Sequence, residues 1–537
     1  MKTTYKFFIG ILLIALVIPG VTSCSDFLEE DPKGQLATKN FFTNKNDLEA
    51  AWNALYSVVC YSHRTNGHYV QNGTAGDDVS THPASNKQAL REHDQYAVYS
   101  NNPWMYRMWQ RRYQVIKAAN FVINNAARTP GVSEAAIKEL VANAHYWRAF
   151  EYFTIVMTWG KAPIMLEEEV NYEAELASEQ QIYDLIVSDL KIAEAGVPIN
   201  YTKEPYTING VNIAVSQAAV KASLSYVYMC MAGWPLNKGT EYYKLAAAKA
   251  KEVIDGVDNG TYNYALLDDY HKVYSKEWHR KNPELLLGIY FNLDSKDIFS
   301  PTPADYLLDQ KQGGWGDTNG EIKFWVNFPD GPRKDATYFP KIMLQDGVLR
   351  DWWYDTDPPS RPVVAPPFMK TVEGVKQGDE FDYTNPTTLP SAGEKTQQTI
   401  RLSQVYCWYA EATGRSGQVN AQAVNVLNKV RNRADGKETN LYSTSMTPEE
   451  LAEAAYDEHG WEMAGYYWSG FAFRARDMFR MYRYKDHFEF RKRNPMIEVA
   501  PGIFRNEAVP VEGEWNDSRM YCAYPSGDAI LNPNLKN

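Results

Sequence analysis

The sequence predicts an all-α fold, a tetratricopeptide-like scaffold of helix pairs with a large loop-rich insertion. Apolar residues recur at helical spacing before and after residues 261–399, whereas within that range the periodicity fades and Gly, Pro, Asp and Trp increase. We therefore divide the chain into a leader (1–23), an N-terminal helical part (24–260) containing a polar loop region (62–103), the insertion (261–399), and C-terminal helical repeats with a tail (400–537).

The first residues are typical of an export signal. Lys2 and Lys6 precede an apolar run of 12 residues at 7–18, which is too short for a bilayer span of roughly 20 residues. Thr22 and Ser23 then precede Cys24, an order that resembles a lipobox. We expect Cys24 to be lipid-modified and to become the mature N-terminus, which would anchor the protein to a membrane. The alternative is an ordinary signal peptide followed by an incidental cysteine.

The clearest helix pair follows residue 215. In "SQAAVKASLSYVYMCMAGWP", Val220, Leu224 and Val227 share one helical face, Ser216 is a suitable N-cap, and Gly233 ends the helix. A short link leads to "EYYKLAAAKAKEVIDG", in which small alanines allow a close approach of two helices.

Similar amphipathic segments occur along the rest of the chain. We predict them at 109–126 with 140–163, at 178–197, at 400–436 and, more weakly, at 448–486. Such pairs bury their apolar stripes by stacking on one another. Between them, "ELLLGIY" is a candidate strand, and the tail after residue 494 is predicted to be loop-like.

Charge excludes one class of partner. Loss of Lys2 and Lys6 with the leader leaves 53 basic and 66 acidic residues, a formal charge of −13. A protein of this charge repels phosphate backbones, so we expect no nucleic-acid partner.

The cysteine pattern predicts no metal site. Besides Cys24, the chain has Cys60, Cys230, Cys407 and Cys522, with no zinc-type spacing. The first three lie in apolar helical patterns, where a free cysteine behaves as a small buried hydrophobe. A disulfide is compatible with export, but spacing alone assigns no pairing.

The sequence contains none of three familiar catalytic and phosphate-binding motifs. The sequence lacks H-E-x-x-H, G-x-S-x-G and G-x-x-x-x-G-K-[ST], and we expect no cofactor and no metal. His63 and His68, in an apparent loop, are a weak metal candidate. The group Asp457, Glu458, His459 and Glu462 is the best acid–base candidate, but on a helix such a group is more often a solvated face.

Eight segments in this order resemble the SusD/RagB family of outer-membrane lipoproteins that bind nutrients. They are "CSDFLEEDPKG", "WQRRYQVIKAANFVI", "AHYWRAFEYFTIVMTWGKAPI", "AVKASLSYVYMCMAGWPLN", "YYKLAAAKAKEVID", "GGWGDTN", "IRLSQVYCWYAEATG" and "VNVLNKVRNRA". Toward the C-terminus, "YDEHGWEMAGYYWSGFAFRARDMFRMYR" keeps only part of the family pattern. The resemblance implies a SusD-like fold and a surface protein that captures oligosaccharide for a TonB-dependent (SusC-like) transporter barrel, without chemistry.

The resemblance and the composition also indicate site residues. Aromatic residues make up 14% of the chain, and their rings suit the C–H faces of sugars, although most are expected to pack between helices. Trp315, flanked by glycines, lies where the family places a sugar-stacking ring, and Tyr306 lies in the same region; Trp315 could instead hold its own loop. The other candidate ligand contacts are Asp77, Asp78, Arg91 and Asn101, although an Asp after Gly more often forms a turn.

Two functions from other classes remain open at the level of sequence. A surface glycoside hydrolase would need two essential carboxylates in its pocket, and 66 acidic residues always offer pairs. A purely structural surface protein would bind no sugar, and replacement of Trp315 would then change only its stability. The predicted location in every case is the outer-membrane surface.

Overall fold

A computed structural model describes residues 41–63, 75–167, 169–275, 277–291, 316–343, 347–354, 363–370, 395–466, 471 and 473–536. The leader, Cys24, Tyr306 and Trp315 lie outside these ranges, as does His68. Within them, no helix is both long enough and apolar enough to cross a membrane.

The N-terminal part is built of helices, as predicted. They are α1 (Lys45–His63), α2 (Gln88–Asp94), α3 (Pro103–Asn125), α4 (Glu134–Trp159), α5 (Glu179–Gly196), α6 (Gln217–Ala232) and α7 (Thr240–Asp258). Ser216 occupies the N-cap position of α6 and Gly233 its C-cap position, as the sequence indicated. The side chain of Asn102 caps α3 by accepting hydrogen bonds from the backbone N–H groups of Trp104 and Met105.

The insertion contains short elements, and the C-terminal part returns to helices. The helices are α8 (Tyr270–Val273), α9 (Ile322–Asn327), α10 (Pro332–Thr337), α11 (Leu402–Arg415), α12 (Ala421–Asp435), α13 (Pro448–Met463), α14 (Arg474–Arg480), α15 (Tyr484–Arg493) and α16 (Ser526–Leu531). The tail after 494 is more ordered than predicted, because it forms a hairpin and α16.

Strands occur in the described residues as antiparallel two-stranded ribbons. They are β1 (Val79–Thr81), β2 (Ala162–Pro163), β3 (Leu176–Ala177), β4 (Thr207–Ile208), β5 (Val211–Asn212), β6 (Leu285–Ile289), β7 (Thr318–Gly320), β8 (Ile342–Met343), β9 (Leu349–Arg350), β10 (Gln397–Arg401), β11 (Ile497–Ala500) and β12 (Ile503–Arg505). The pairs are β1–β7, β2–β3, β4–β5, β6–β10, β8–β9 and β11–β12. The predicted strand in "ELLLGIY" is confirmed as β6.

The helices stack as the apolar stripes predicted. Helix α3 packs on α4, α4 on α5, α6 on α7, and α11 on both α7 and α13. The contact between α11 and α13 is close at Gly414, where an added Cβ would lie 2.4 Å from the carbonyl oxygen of Pro448. The main buried apolar cluster extends from Phe41 to Leu535, so the first and last described segments share one core.

One polar prediction needs correction, and the cysteine side chains can be placed. His63 is the last residue of α1 rather than a loop residue; it is buried and its Nε2 lies 3.0 Å from Glu151 Oε1. Within the described ranges, no group of His, Cys, Asp and Glu side chains is arranged to hold a metal ion. Cys60, Cys230, Cys407 and Cys522 are free thiols, and all except Cys60 are buried.

Candidate functional site

One short ribbon joins two of the predicted ligand-binding regions. Strand β1 pairs with β7 in the register Val79 to Gly320 and Thr81 to Thr318. The ribbon therefore brings the polar loop region of the N-terminal part onto the insertion. Different candidate residues lie at its two ends.

At the end of the ribbon where β7 begins, the chain is held by hydrogen bonds. His82 N donates to Asp317 O over 2.8 Å, and Ser85 Oγ donates to Asp317 Oδ1 over 2.5 Å. Arg91 Nη2 donates to the carbonyl oxygens of three loop residues, which are His82, Pro83 and Ser85. Arg91 therefore supports the loop beside the strand that follows Gly316. Trp315, the adjacent residue, lies outside the described residues, so its role stays a prediction.

The other end of the ribbon borders a cleft of about 380 Å³. Its lining comes from five parts of the chain: Asp77 before β1; Glu321, Lys323, Phe324 and Asn327 at α9; Asp457 and Trp461 on α13; Arg474 and Met478 on α14; and Arg483, Asp486, His487 and Phe490 at α15. We call this cavity the ribbon cleft. Of the predicted ligand contacts that the structure describes, only Asp77 lines it.

An ion pair forms one wall of the ribbon cleft. Arg474 Nε donates to Asp77 Oδ1 over 2.6 Å, and Arg474 Nη2 donates to Asp77 Oδ2 over 2.9 Å. The guanidinium also lies over the rings of Tyr456 and Phe324, 4.3 and 5.6 Å from their centroids. Burial alone would raise the pKa of Asp77, but the Arg474 guanidinium outweighs it and lowers that pKa.

Asp78 points away from the cleft. Only 2% of the residue is exposed, and its Oδ2 accepts a hydrogen bond of 2.8 Å from the backbone N–H of Gly465. Gly465 has a φ of 71° and its Cα faces the Phe368 ring, so a side chain would be strained and would clash there. Burial, together with the neighbouring Asp77 carboxylate, raises the pKa of Asp78 to about 7. Asp78 thus ties the β1 segment to the end of α13.

A second buried network lies beneath the ribbon cleft. Arg491 Nη1 contacts Asp94 Oδ1 at 2.6 Å and Glu321 Oε1 at 3.0 Å. His487 bridges Glu321 Oε2 at 3.0 Å and the Tyr96 hydroxyl at 2.9 Å. Burial lowers the pKa of His487 to about 3, so its ring is neutral at neutral pH. These groups bond to one another and form the floor of the cleft.

The walls of the ribbon cleft combine aromatic rings with free polar groups. Trp461 and Phe490 are partly exposed, whereas Phe324 is buried. Asp457, one helical turn before Trp461, makes no hydrogen bond and no ion pair with any described residue. Flat apolar rings beside hydrogen-bond acceptors are the groups that bind a hydroxyl-rich ring compound.

Asn101 does not line this cleft. It is exposed in the turn before α3, whereas its neighbour Asn102 is buried. Asn102 Nδ2 donates to Ala89 O over 3.0 Å and to Glu92 Oε2 over 2.8 Å. The neighbouring asparagine therefore has the structural role, and a ligand role for Asn101 stays a prediction.

The expectation of a solvated face at residues 457–462 is wrong for most of that group. Glu458, His459 and Glu462 are completely buried. Glu462 accepts hydrogen bonds from three buried guanidinium groups, those of Arg333, Arg401 and Arg433. His459 is paired with Asp477. These three side chains form ion pairs inside the protein. The arginine partners of the two glutamates come from distant segments of the chain.

A second cavity, of about 300 Å³, lies between α3, residues 163–172 and the C-terminal tail. Trp109 and Leu535 are buried in it, whereas Val170, Tyr172 and Leu531 on its edges are more than half exposed. This cavity is mainly apolar, so the ribbon cleft is the better match to a polar ligand.

The sequence analysis missed most residues of the ribbon cleft. Phe324, Trp461, Arg474 and Phe490 were not singled out, since they belong to four separate segments. The one usable signal was the spacing of Asp457 and Trp461, which places a carboxylate and an indole on the same helical face.

Comparison with known families agrees with this fold. A family profile described as "Starch-binding associating with outer membrane" matches residues 26–229, and a profile described as "SusD family" matches residues 370–537. The chain belongs to the SusD/RagB family. The second match covers the C-terminal segment that departs from the expected pattern, so that segment is a divergent version of the family sequence.

Several known proteins match this chain over most of their length. A SusD-like protein from Bacteroides ovatus is 26% identical, over 98% of this chain and 96% of the relative. A solved structure with xylogluco-oligosaccharide is 22% identical, covers 91% of this chain and 98% of its own, and has a TM-score of 0.68. Surface glycan-binding protein A from Bacteroides uniformis is 19% identical, with coverages of 91% and 98% and a TM-score of 0.66. At these identities, the solved structures show a shared fold.

Proposed function

We propose that this protein is a cell-surface lipoprotein that binds an oligosaccharide and delivers it to a TonB-dependent (SusC-like) transporter of the outer membrane. In this proposal the protein captures the sugar and does not cleave it. Membership of the SusD/RagB family supports the proposal, as do relatives whose names describe glycan binding.

The observation that carries the proposal is the ribbon cleft on a fold shared with a solved xylogluco-oligosaccharide complex. Trp461 offers the exposed part of its indole ring for sugar C–H groups, and Asn327 and Asp457 offer polar groups for hydroxyls. The ring of Phe490 has the Lys323 ammonium and the His487 ring against it and completes the wall. The predicted contacts Trp315, Tyr306, Asp77, Asp78, Arg91 and Asn101 remain part of the proposal, and Trp315 and Tyr306 lie outside the described residues. Of these, Asp77, Asp78 and Arg91 are already hydrogen-bonded within the protein, so we assign them a supporting role.

The anchor is part of the same proposal. Cys24 would carry the lipid, and 16 residues then separate it from Phe41, the first residue of the described fold. An extended chain spans at most about 3.3–3.6 Å per residue, so such a tether would allow the protein to move by tens of ångströms relative to the membrane. Metabolic labelling with an alkyne fatty acid tests this part: the wild type should be labelled, and Cys24→Ala should not.

Titration calorimetry tests sugar binding. The protein, purified from membranes in detergent, is titrated with a panel of plant and host oligosaccharides, and each mixture is then analysed for cleavage products. Saturable binding of a sugar that remains intact would support capture. Release of shorter products would instead indicate the glycoside hydrolase. No binding across a broad panel would contradict the proposed function.

Co-purification tests delivery. The tagged protein should co-purify with a TonB-dependent barrel whose gene neighbours its own, and the barrel should remain bound after washing. If no barrel protein accompanies it from native membranes, the transporter partnership is contradicted while sugar binding can still stand.

A further inference from the structure

We infer that the ribbon cleft selects sugar units that lack an acid group, namely neutral or amino sugars, and disfavours uronic acids and sulfated sugars. This inference rests on the proposed function, because it names the class of ligand for the same protein. It follows from which charges in the cleft already have partners.

Both arginines that line the ribbon cleft already have a carboxylate partner. Arg474 is held by both carboxylate oxygens of Asp77, at 2.6 and 2.9 Å. Arg483 Nη2 donates to Glu453 Oε2 over 2.6 Å. The bidentate pair occupies the N–H fork by which Arg474 would recognise an acidic sugar, and the Glu453 carboxylate offsets the charge of Arg483.

Two carboxylates of the cleft have no such partner. Neither Asp457 on α13 nor Asp486 on α15 makes a hydrogen bond or an ion pair with another described residue. Asp457 is also half-buried, and burial raises its pKa despite the nearby arginines. A carboxylate partly removed from water and lacking a donor is stabilised by an incoming hydroxyl or ammonium group, and it repels an incoming anion.

The other ionisable groups that line the cleft do not make it attractive to an anion. Glu321 and His487 bond to each other and to the floor network, and His487 is neutral at neutral pH. The ammonium of Lys323 lies 4.1 Å from the centre of the Phe490 ring, a favourable position that leaves its charge facing solvent. Among the described lining residues, one unpaired cation therefore faces two unpaired carboxylates.

The position of Trp461 indicates how the cleft would distinguish neutral from acidic sugars. Asp457 and Trp461 are four residues apart on α13, so both project from the same face of the helix into the cleft. A pyranose stacked on the indole would place its edge substituents beside the Asp457 carboxylate. At that edge a hydroxyl or an amine donates a hydrogen bond, whereas a carboxylate or a sulfate is repelled.

The test uses matched triplets of oligosaccharides. Maltohexaose, cellohexaose and a xyloglucan heptasaccharide are each prepared in three forms: unmodified, oxidised at C6 to the uronic acid, and converted at C6 to the amine. Calorimetry on the full protein should show, for each backbone that binds, an acid form at least tenfold weaker than the neutral form. The amine form should bind at least as tightly as the neutral form. Added salt should reduce the difference in affinity between the acid and the neutral form.

Asp457→Asn separates this inference from the proposed function. Asparagine keeps an acceptor of similar shape but removes the charge, so the ratio between neutral and acid forms should fall below about threefold. Glu449→Gln, an exposed change at the start of the same helix, should leave the ratio unchanged. Asp486→Asn, at the exposed rim, should reduce the ratio by a smaller factor.

The outcomes are distinct. An acid form that binds as tightly as its neutral parent, or an Asp457→Asn variant with an unchanged ratio, overturns the inference while sugar binding stands. If no form of any of the three backbones binds, and no oligosaccharide of the broader panel binds, the proposed function and the inference are both overturned. Circular dichroism and thermal melts of each variant show whether it is folded.

Discussion

Arg474 and Asp77 form a two-bond ion pair although 397 residues separate them in the chain. The pair joins the segment before β1 to helix α14 and so closes one wall of the ribbon cleft. An element of the N-terminal part is thereby fixed to the C-terminal helices, which explains why a polar loop region can present a defined surface.

Loss of that pair should destabilise the protein. Asp77→Asn leaves the buried Arg474 guanidinium without a counter-charge, and removal of one partner of a buried pair typically costs about 3–5 kcal/mol. Because 27% of the Asp77 side chain is exposed, we expect the lower end of that range, about 3 kcal/mol. Urea unfolding measures it. Asp330→Asn, the same change in a side chain that is 96% exposed, should have no measurable effect, and equal losses would contradict the assignment.

The stability of the protein should depend on pH through Asp78. Its pKa is about 7 in the folded protein and near 3.8 in an unfolded chain, so the folded state holds the proton more tightly. The stability that this proton contributes is present below about pH 4 and is lost as the pH rises toward 7. Asp78→Asn keeps an acceptor for Gly465 without this titration. Its free energy of unfolding, relative to wild type, should therefore increase between pH 5 and pH 8.

The size of this effect follows from the shift. A change of about 3 pKa units corresponds to about 4 kcal/mol between the two extremes, and part of it falls within the measurable window. Urea unfolding of both proteins at each pH cancels the contributions of all other titrating groups. A difference that is constant from pH 5 to pH 8 would show that Asp78 does not titrate there.

Glu462 should be essential to stability rather than to any chemistry. Its carboxylate accepts from Arg333, Arg401 and Arg433, and these guanidinium groups lower its pKa even though burial opposes this. Glu462→Gln would leave buried positive charge poorly compensated, so we expect a loss of about 3–5 kcal/mol. Thermal and urea unfolding measure the loss. Glu449→Gln on the same helix is the matched control, and a stable Glu462→Gln variant would contradict the role of the cluster.

Sugar binding should depend on the exposed rings of the ribbon cleft. Trp461→Ala removes a stacking face, and stacking of this kind with the surrounding contacts supports an expected loss of at least tenfold in affinity, about 1.4 kcal/mol or more. Calorimetry with the tightest ligand of the panel measures it. Trp278→Ala is the control, because Trp278 is a partly exposed tryptophan that does not line the cleft. Trp315→Ala should also weaken binding if one oligosaccharide contacts both Trp461 and Trp315. An unchanged affinity would show that Trp315 does not contact the ligand bound at Trp461.

Local pattern was sufficient for the helices. In α6 and α7 the apolar stripes, the small alanines and the stop at Gly233 are all contained within short windows, and each is a property of the helix itself. The same holds for β6, whose five residues are all buried. Where the information is local, the sequence and the structure agree.

Side-chain partners were not predictable in this way. Nothing in the sequence distinguishes the four ionisable residues of the stretch 457–462 by their surroundings, yet Asp457 faces the cleft while Glu458, His459 and Glu462 are buried. The difference arises because Arg333, Arg401 and Arg433 approach one side of α13 from three other segments. No spacing within the helix encodes those approaches.

By itself, the sequence determined the helical class, the order of the paired elements and the family, because hydrophobic periodicity and segment order are properties of the chain alone. Only the tertiary structure decided which polar groups form internal ion pairs and which remain without a partner in the ribbon cleft. Burial and the distance between charges set that division, and both depend on segments that are hundreds of residues apart until the chain folds.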